Sequence, residues 1–526
     1  MEENLLRHPE IVNPYDLGSR SFNDKDFVKD LSSDVLLNSV PFFFPGSGYY
    51  SSGTRNLAYE VIVNLDSDDS TIRYRQNALE ELIRAPDLRK KLQNVVKGMG
   101  KIREKFSEKN DLGHGVDLLR TYRDFMQNLP DLNSTHSEAI TTVNNYLNRV
   151  KTSNEFSEIC EFIHKIENLV GVDFRVLLDK NGNPFHMTPI ELVEKEEQPK
   201  KPIFARLLEK KKTEQTLEAN LRNSWGLNEL GKIIEEYMNK QFPSSIIQTY
   251  TSQISEVTRL LEPLDFYRGF ADYFVRLQES GFDISRPVLL PKEERRMSVR
   301  NARNPLLMET RNNGHRVVPN DIEYNRENNI FVITEPNNGG KTTYVKTVGL
   351  IQLMAQSGLF VPAKSAEVSF VDGIYTHFIA PDDITMGEGR YRNELRRMKD
   401  IFEKATPYSL VILDEPCGGT SYEEGQRQSL VLLDGFHKLG SATYFTTHMH
   451  PLTKEVDNGR YPAGRNLQVK CIDDGEKIKY TYRVIPGSSG KSYGEEIARE
   501  IGLRPENIMD TISKRADKKG YKGLLR

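Results

Sequence analysis

Residues 339–343, Gly-Gly-Lys-Thr-Thr, have the types and spacing to hold a triphosphate. They come after the apolar run Ile330, Phe331, Val332, Ile333 and the segment Glu335, Pro336, Asn337, Asn338, and they precede a helical pattern in Val345, Val348, Ile351, Leu353 and Met354. A strand, a glycine turn, then a lysine and a hydroxyl opening a helix form a phosphate cradle. Backbone N–H groups of the turn and the positive helix end face the oxygens, Lys341 neutralises the terminal phosphates, and Thr342 can ligate magnesium. The full loop pattern wants glycine five residues before Gly340, where this chain has Glu335. A carboxylate there repels triphosphate unless it points away or meets a cation. By itself the loop leaves an ordinary strand-to-helix turn open.

A second set of residues supports the first. Residues 409–415, Ser-Leu-Val-Ile-Leu-Asp-Glu, read as a buried strand ending in two acids. Such a strand in a parallel sheet delivers the residues at its end to the carboxyl edge, where nucleotides sit. Asp414 is placed to hold magnesium through water, and Glu415 to orient and deprotonate the attacking water. Pro416, Cys417, Gly418, Gly419, Thr420 and Ser421 then open a polar helix. Glycines plus a Thr/Ser cap make a second anion site. Its closeness in sequence to the acids points to the nucleotide pocket of another subunit, with an ordinary capped helix as the alternative. A third strand pattern, Ala442 to Phe445, is succeeded by Thr446, Thr447 and His448. It sets an imidazole at the neighbouring sheet edge, suited to sensing a γ-phosphate.

These segments resemble a known family in order and spacing. EPNNGGKTT, GLIQLMAQSGLFVPA (349–363), SLVILDEPCGGTS (409–421), YFTTH (444–448) and IPGSSGKSYGEEIAREIGL (485–503) are similar to the ATPase domain of the MutS DNA mismatch-repair family. NARNPLL (301–307) and VPNDI (318–322) resemble the family's lead-in to that domain, with Asn304 where a histidine is usual. In the amino-terminal half, residues 67–92, 118–132 and 254–289 resemble the start of the MutS core and the helices leading into and out of its lever arms.

The resemblance implies an α/β P-loop ATPase domain of the ABC type over 296–526, preceded by a mainly α-helical core and lever domain over 61–295. Residues 1–60 stay unassigned, and the clamp region, about 170–250, is reduced or replaced. It also implies a head-to-tail homodimer with two sites for ATP and Mg2+, each joining the loop of one subunit (Pro336 to Thr343) to the cap Gly418, Gly419, Thr420, Ser421 of the other. Glu415 would be the base, Lys341 and His448 would act on the γ-phosphate, and Thr342 and Asp414 would hold the metal. Val317, Val318 and Asn320 would flank the adenine, with Val317 in place of a stacking aromatic, which weakens base stacking.

Two amino-terminal domains of the family, including the one that inserts a phenylalanine beside a mispaired base, find no room before residue 60. Phe-x-Glu occurs at Phe106 to Glu108 and at Phe156 to Glu158, both within Lys/Glu-rich helical stretches, and reads as chance. A carboxyl-terminal dimerising extension and a nuclease tail are not expected either. The expected activity is therefore ATP-driven clamping of branched or recombining DNA rather than mismatches, with repair or recombination proteins as further partners. A motor acting on ribosomes or RNA, and a scaffold with a weak ATPase, are the alternatives.

Composition sets the limits. In 526 residues, Lys plus Arg number 72 and Asp plus Glu 75, a net charge of -3, so no global field draws the chain to nucleic acid. Contacts to DNA must come from local patches. Cys160, Cys417 and Cys471 are scattered singly, which argues against disulfides or zinc and fits a reducing cytosol. Cys417 reads as an inert small residue rather than an oxidation-sensitive one. No stretch approaches the ~20 apolar residues of a membrane span, and MEENLLRHPE lacks a secretion signal's features, so a cytoplasmic location is expected.

The first half is helical by pattern, with stripes in Ala78, Leu79, Leu82, Ile83 and in Val257, Leu260, Leu261, Leu264. Pro41 to Gly53 reads as a loop, with Phe42 to Phe44 as a packing patch. Phe174 to Leu178 and Phe185 to Met187 read as a hairpin, with a mixed-charge linker after it at 194–201. The charged helix Arg206 to Lys212 reads as a solvated face, and no DNA-contacting residue is assigned. Cys471 to Tyr482, turning at Asp474-Gly475, reads as a second hairpin, and Ser488 to Gly494 leads into a terminal helix.

Overall fold

The computed structural model describes residues 26–43, 51–106, 112–134, 136–178, 184–194, 244–308, 317–334, 339–378, 390–473, 478–488 and 494–520, with isolated positions at 180 and between 233 and 241. The first half is helical. Helices Asp69–Arg84, Pro86–Phe106, Leu112–Gln127, Glu138–Lys151 and Asn154–Glu167 pack with Ser244–Thr258 and Leu261–Glu279. Their starts are set locally, since Asp68, Ser137 and Ser153 each accept a hydrogen bond from a first-turn N–H. Pro86 opens its helix at the position where a missing N–H costs nothing.

Of the expected stripe in the first of these helices, Ala78, Leu79 and Leu82 are fully buried. The stripe drawn through Val257 to Leu264 is broken between Thr258 and Leu261, so it belongs to two helices rather than one. The expected loop Pro41 to Gly53 ends earlier, because a helix begins at Ser51. Phe42 is buried edge-on against Phe270 at 5.8 Å, as a packing residue should be, and Phe44 lies outside the described residues. Strands Leu169–Leu178 and Pro184–Glu194 form the expected antiparallel hairpin, longer than its sequence pattern. The linker 194–201, apart from Glu194, and the segment 206–212 lie outside the described residues.

The second half carries two sheets. A four-stranded sheet has the order Val288–Leu290, Ser365–Ser369, Met297–Ala302, Asn320–Tyr324, and so starts ahead of residue 296. The larger sheet runs Ile478–Pro486, Gly464–Asp473, Ile330–Thr334, Ala442–Thr446, Leu410–Asp414, Ile374–His377, all parallel except the first pair. Its three central strands are buried at every residue, the signature of a sheet covered on both faces. Phe331 and Ile333 join one core with the helix Lys341–Gln356, while Ile330 and Val332 join a second with Leu432, Leu433 and Phe436 of the helix Tyr422–Leu439.

The first of these cores continues into the helical half, where Phe274 meets Phe360 at 5.9 Å between ring centres. Two short helices near the start, Asp26–Asp30 and Ser33–Ser39, lie in it too. Leu31 packs against Gly349, where an added Cβ would fall 2.6 Å from a leucine methyl. Asp30 accepts from Thr376 at 2.7 Å and pairs with Arg397, while Arg268 of the long helix Leu261–Glu279 donates to the Pro41 carbonyl. No described helix is long and apolar enough to cross a membrane.

Candidate active site

Thr446 pairs with Asp414 on one side and Ile333 on the other, so three strands end side by side at one sheet edge. The residues just beyond those strand ends converge. Gly340, at φ 108, turns the chain into the helix opened by Lys341, a conformation that a side chain would strain. Lys341 is 4% exposed. Thr342 donates its hydroxyl to Asp414 Oδ2 at 2.8 Å, and Thr446 donates to Asp414 Oδ1 at 2.7 Å. Burial pushes the Asp414 carboxyl above the usual range, against the pull of those two hydroxyls; Glu415 adds to the rise and Lys341 opposes it.

Glu415 takes a left-handed turn, φ 54. Its Oε1 lies 2.5 Å from His448 Nε2 and 3.5 Å from Lys341 Nζ. Burial alone would raise this carboxyl; the His448 ring and the Lys341 ammonium outweigh it and hold the group below its ordinary value. Lys341 Nζ also lies 3.4 and 3.3 Å from the two ring nitrogens of His448. Lys341, Thr342, Asp414, Glu415 and His448 are thus one contact cluster.

Beside it opens a cavity of about 630 Å³ lined by Val317, Val318, Asn320, Gly340 and Thr343, together with Lys479 to Tyr482 of the edge hairpin. Asn320 also ties the hairpin to the loop. Its amide donates to the Tyr482 carbonyl at 3.0 Å and accepts from Val484 N–H at 2.8 Å. Asn304 is buried and donates to the Thr343 carbonyl and the Thr347 hydroxyl, bracing the helix behind Lys341.

Sequence reasoning missed Tyr480 and Tyr482, whose rings lie 6.3 Å apart at 30°. Tyr482 comes within 3.4 Å of where a Cβ on Gly340 would stand. Two aromatics at period two in the second strand of an expected hairpin are the signal that could have found them.

Glu335, Pro336, Asn337 and Asn338 are outside the described residues. Gly418, Gly419, Thr420 and Ser421 do not line the cavity; Gly419 N–H reaches Glu394 and the Thr420 hydroxyl reaches Glu424. Ser421 stands at the start of its helix without a side-chain capping bond, so the cap expected there is not made by its hydroxyl. Cys417 is 2% exposed, and burial pushes its thiol up to about 11, which suits the inert reading.

The donor chemistry fits magnesium. A carboxylate beside a hydroxyl is a hard oxygen pair, and Mg2+ takes one or two carboxylates and fills its shell with phosphate and water. Among the described residues no group of three or more His, Cys, Asp or Glu could hold a metal unaided.

Fold and site together define an α/β domain with its charged residues gathered at one sheet edge. The model for MutS domain V matches residues 331–519, and that for the MutS2 N-terminal domain matches 67–280. The chain is 36% identical over 218 residues to the DNA mismatch repair protein MutS of Caldicellulosiruptor bescii, covering 41% of this chain and 25% of that protein. The same-named proteins of Carboxydothermus hydrogenoformans and Shouchella clausii are 32% and 30% identical over 53% and 49% of this chain, and 32% and 28% of theirs. This chain belongs to the MutS family. It spans about a third or less of the length of these curated relatives, and members of the family are ATPases.

Proposed function

We propose that this protein hydrolyses ATP between two copies of itself and uses the closure to clamp DNA. The observation that carries the reading is the cluster of Lys341, Thr342, Asp414, Glu415 and His448 at one sheet edge. In this reading the Gly339–Gly340 turn and Lys341 hold the β- and γ-phosphates, and the base enters the adjoining cavity against Val317 and the Tyr482 ring. Bound magnesium supplies neutralisation of the phosphate charge. Asp414 and Thr342 hold it, Glu415 orients and deprotonates the attacking water, and His448 steers the Glu415 carboxylate.

Dimer formation is supported by two surfaces. Gly418 and Ser421 are exposed beyond the acids, where a second copy could receive them. Helix Pro505–Lys519 buries only Ala516 and leaves Met509 61% exposed beside Ile508 and Ile512, one apolar face at helical spacing. DNA as partner rests on the family relationship, and branched or recombining duplexes are the finer reading. Phe156, in one of the two Phe-x-Glu sequences read as chance, is buried against Tyr122, so it is unavailable to probe a base pair.

Lys341→Ala and Glu415→Gln test the reading together. Turnover of ATP should fall about 10²–10⁴-fold in Glu415→Gln with nucleotide still bound, as loss of a general base does, whereas Lys341→Ala should lose binding as well. Turnover equal to wild type in both would favour the scaffold. Selective binding of a G/T mismatch over a four-way junction would overturn the branched-DNA reading.

A further inference from the structure

We propose that Thr446 is the positioning residue for both acids of the site, an inference that rests on the ATPase reading. Its single hydroxyl is used twice. The proton goes to Asp414 Oδ1 at 2.7 Å, and the oxygen accepts the Glu415 backbone N–H at 3.0 Å. The Thr446 carbonyl takes the same N–H at 3.2 Å, so the first residue after the acid strand is pinned to the neighbouring strand by two acceptors. Thr446 is fully buried, and water has no access to replace either bond.

The two bonds do different things. The donated one holds the Asp414 carboxylate so that its other oxygen, Oδ2, faces the Thr342 hydroxyl, the pair assigned to the metal. The accepted one stabilises the left-handed turn at Glu415, a conformation disfavoured for a non-glycine residue. From that turn the Glu415 carboxylate reaches His448 and Lys341. A residue of the same shape without the hydroxyl leaves an Asp414 oxygen unpartnered and loosens the Glu415 turn at once. Neither effect requires Thr446 to touch substrate.

Thr446→Val keeps the volume and removes the hydroxyl, and Thr446→Ser restores it. With purified full-length protein, Thr446→Val should lose at least tenfold in kcat with less than a threefold change in KM for ATP. The Mg2+ concentration for half-maximal rate should rise severalfold. Mn2+ retained on protein with ATP, read by electron paramagnetic resonance, should weaken in parallel. Thr446→Ser should recover most of each value, which a role in core packing alone would not produce. Wild-type kcat and Mn2+ binding in a folded Thr446→Val protein would overturn the inference, as would a Thr446→Ser protein no better than Thr446→Val. Absence of any turnover by wild type would instead overturn the ATPase reading and take this inference with it.

Discussion

Glu415 occupies a position where two opposing effects have been resolved in favour of charge. Burial opposes its ionisation, yet His448 and Lys341 keep its pKa below the ordinary value. A carboxyl with a depressed folded pKa contributes stability that is fully present above its unfolded value, about 4.3, and is lost as pH falls through the folded one. Glu415→Gln should therefore unfold at lower urea than wild type at pH 7. The gap should close as the pH is taken below 4. Asp414, raised by burial and further by Glu415, works in the opposite sense; loss of the Glu415 charge relieves part of that rise and offsets part of the gap without reversing its direction with pH. A gap that stays constant from pH 7 to 3 would mean the carboxylate gains nothing from its neighbours.

At the scale of elements, the legible part of the sequence is the part that local pattern controls. Unbroken apolar runs identify the central strands Ile330–Thr334 and Leu410–Asp414, and the glycine, lysine and hydroxyl mark the helix start at Lys341. The strand pattern Ala442 to Phe445 places Thr446 just past its end; in the fold it is the strand's last residue. The alternation of Tyr480 and Tyr482 is legible in the sequence, but its place at the site is not, because that depends on a hairpin returning beside Gly340 from far along the chain. The helices Asp26–Asp30 and Ser33–Ser39 are too short to show a period, so only the fold reveals where they pack. Leu31, between them, is fully buried on the back of the helix opened by Lys341. Leu31→Ala should cost about 2–5 kcal/mol in urea unfolding; a loss under about 1 kcal/mol would show that this segment is not part of the core. The hairpin Leu169–Leu178 with Pro184–Glu194 places Asp173 directly opposite Glu191. Like charges so placed repel each other.

For the whole molecule, the reading predicts that nucleotide and self-association are linked. Wild-type protein should sediment as a dimer with saturating Mg-ATP. Ile508→Asp combined with Met509→Asp should remain single and lose at least tenfold in turnover, because each site would lack its partner's cap. Undiminished dimerisation of that variant would exclude the exposed face of helix Pro505–Lys519 as the contact.

The two family matches divide this chain at roughly residue 300, but its apolar interior does not divide there. Phe27, Leu31 and Phe42 from the beginning, Phe274 from the middle and Val348 from the helix after the glycine turn belong to one continuous cluster. Scissors applied at the apparent seam would leave both fragments with raw greasy wounds. An investigator who expresses the carboxyl-terminal half alone should graft residues 26–43 back onto it, since that ribbon of sequence is as much a part of that half as of the helices that come after it in the chain.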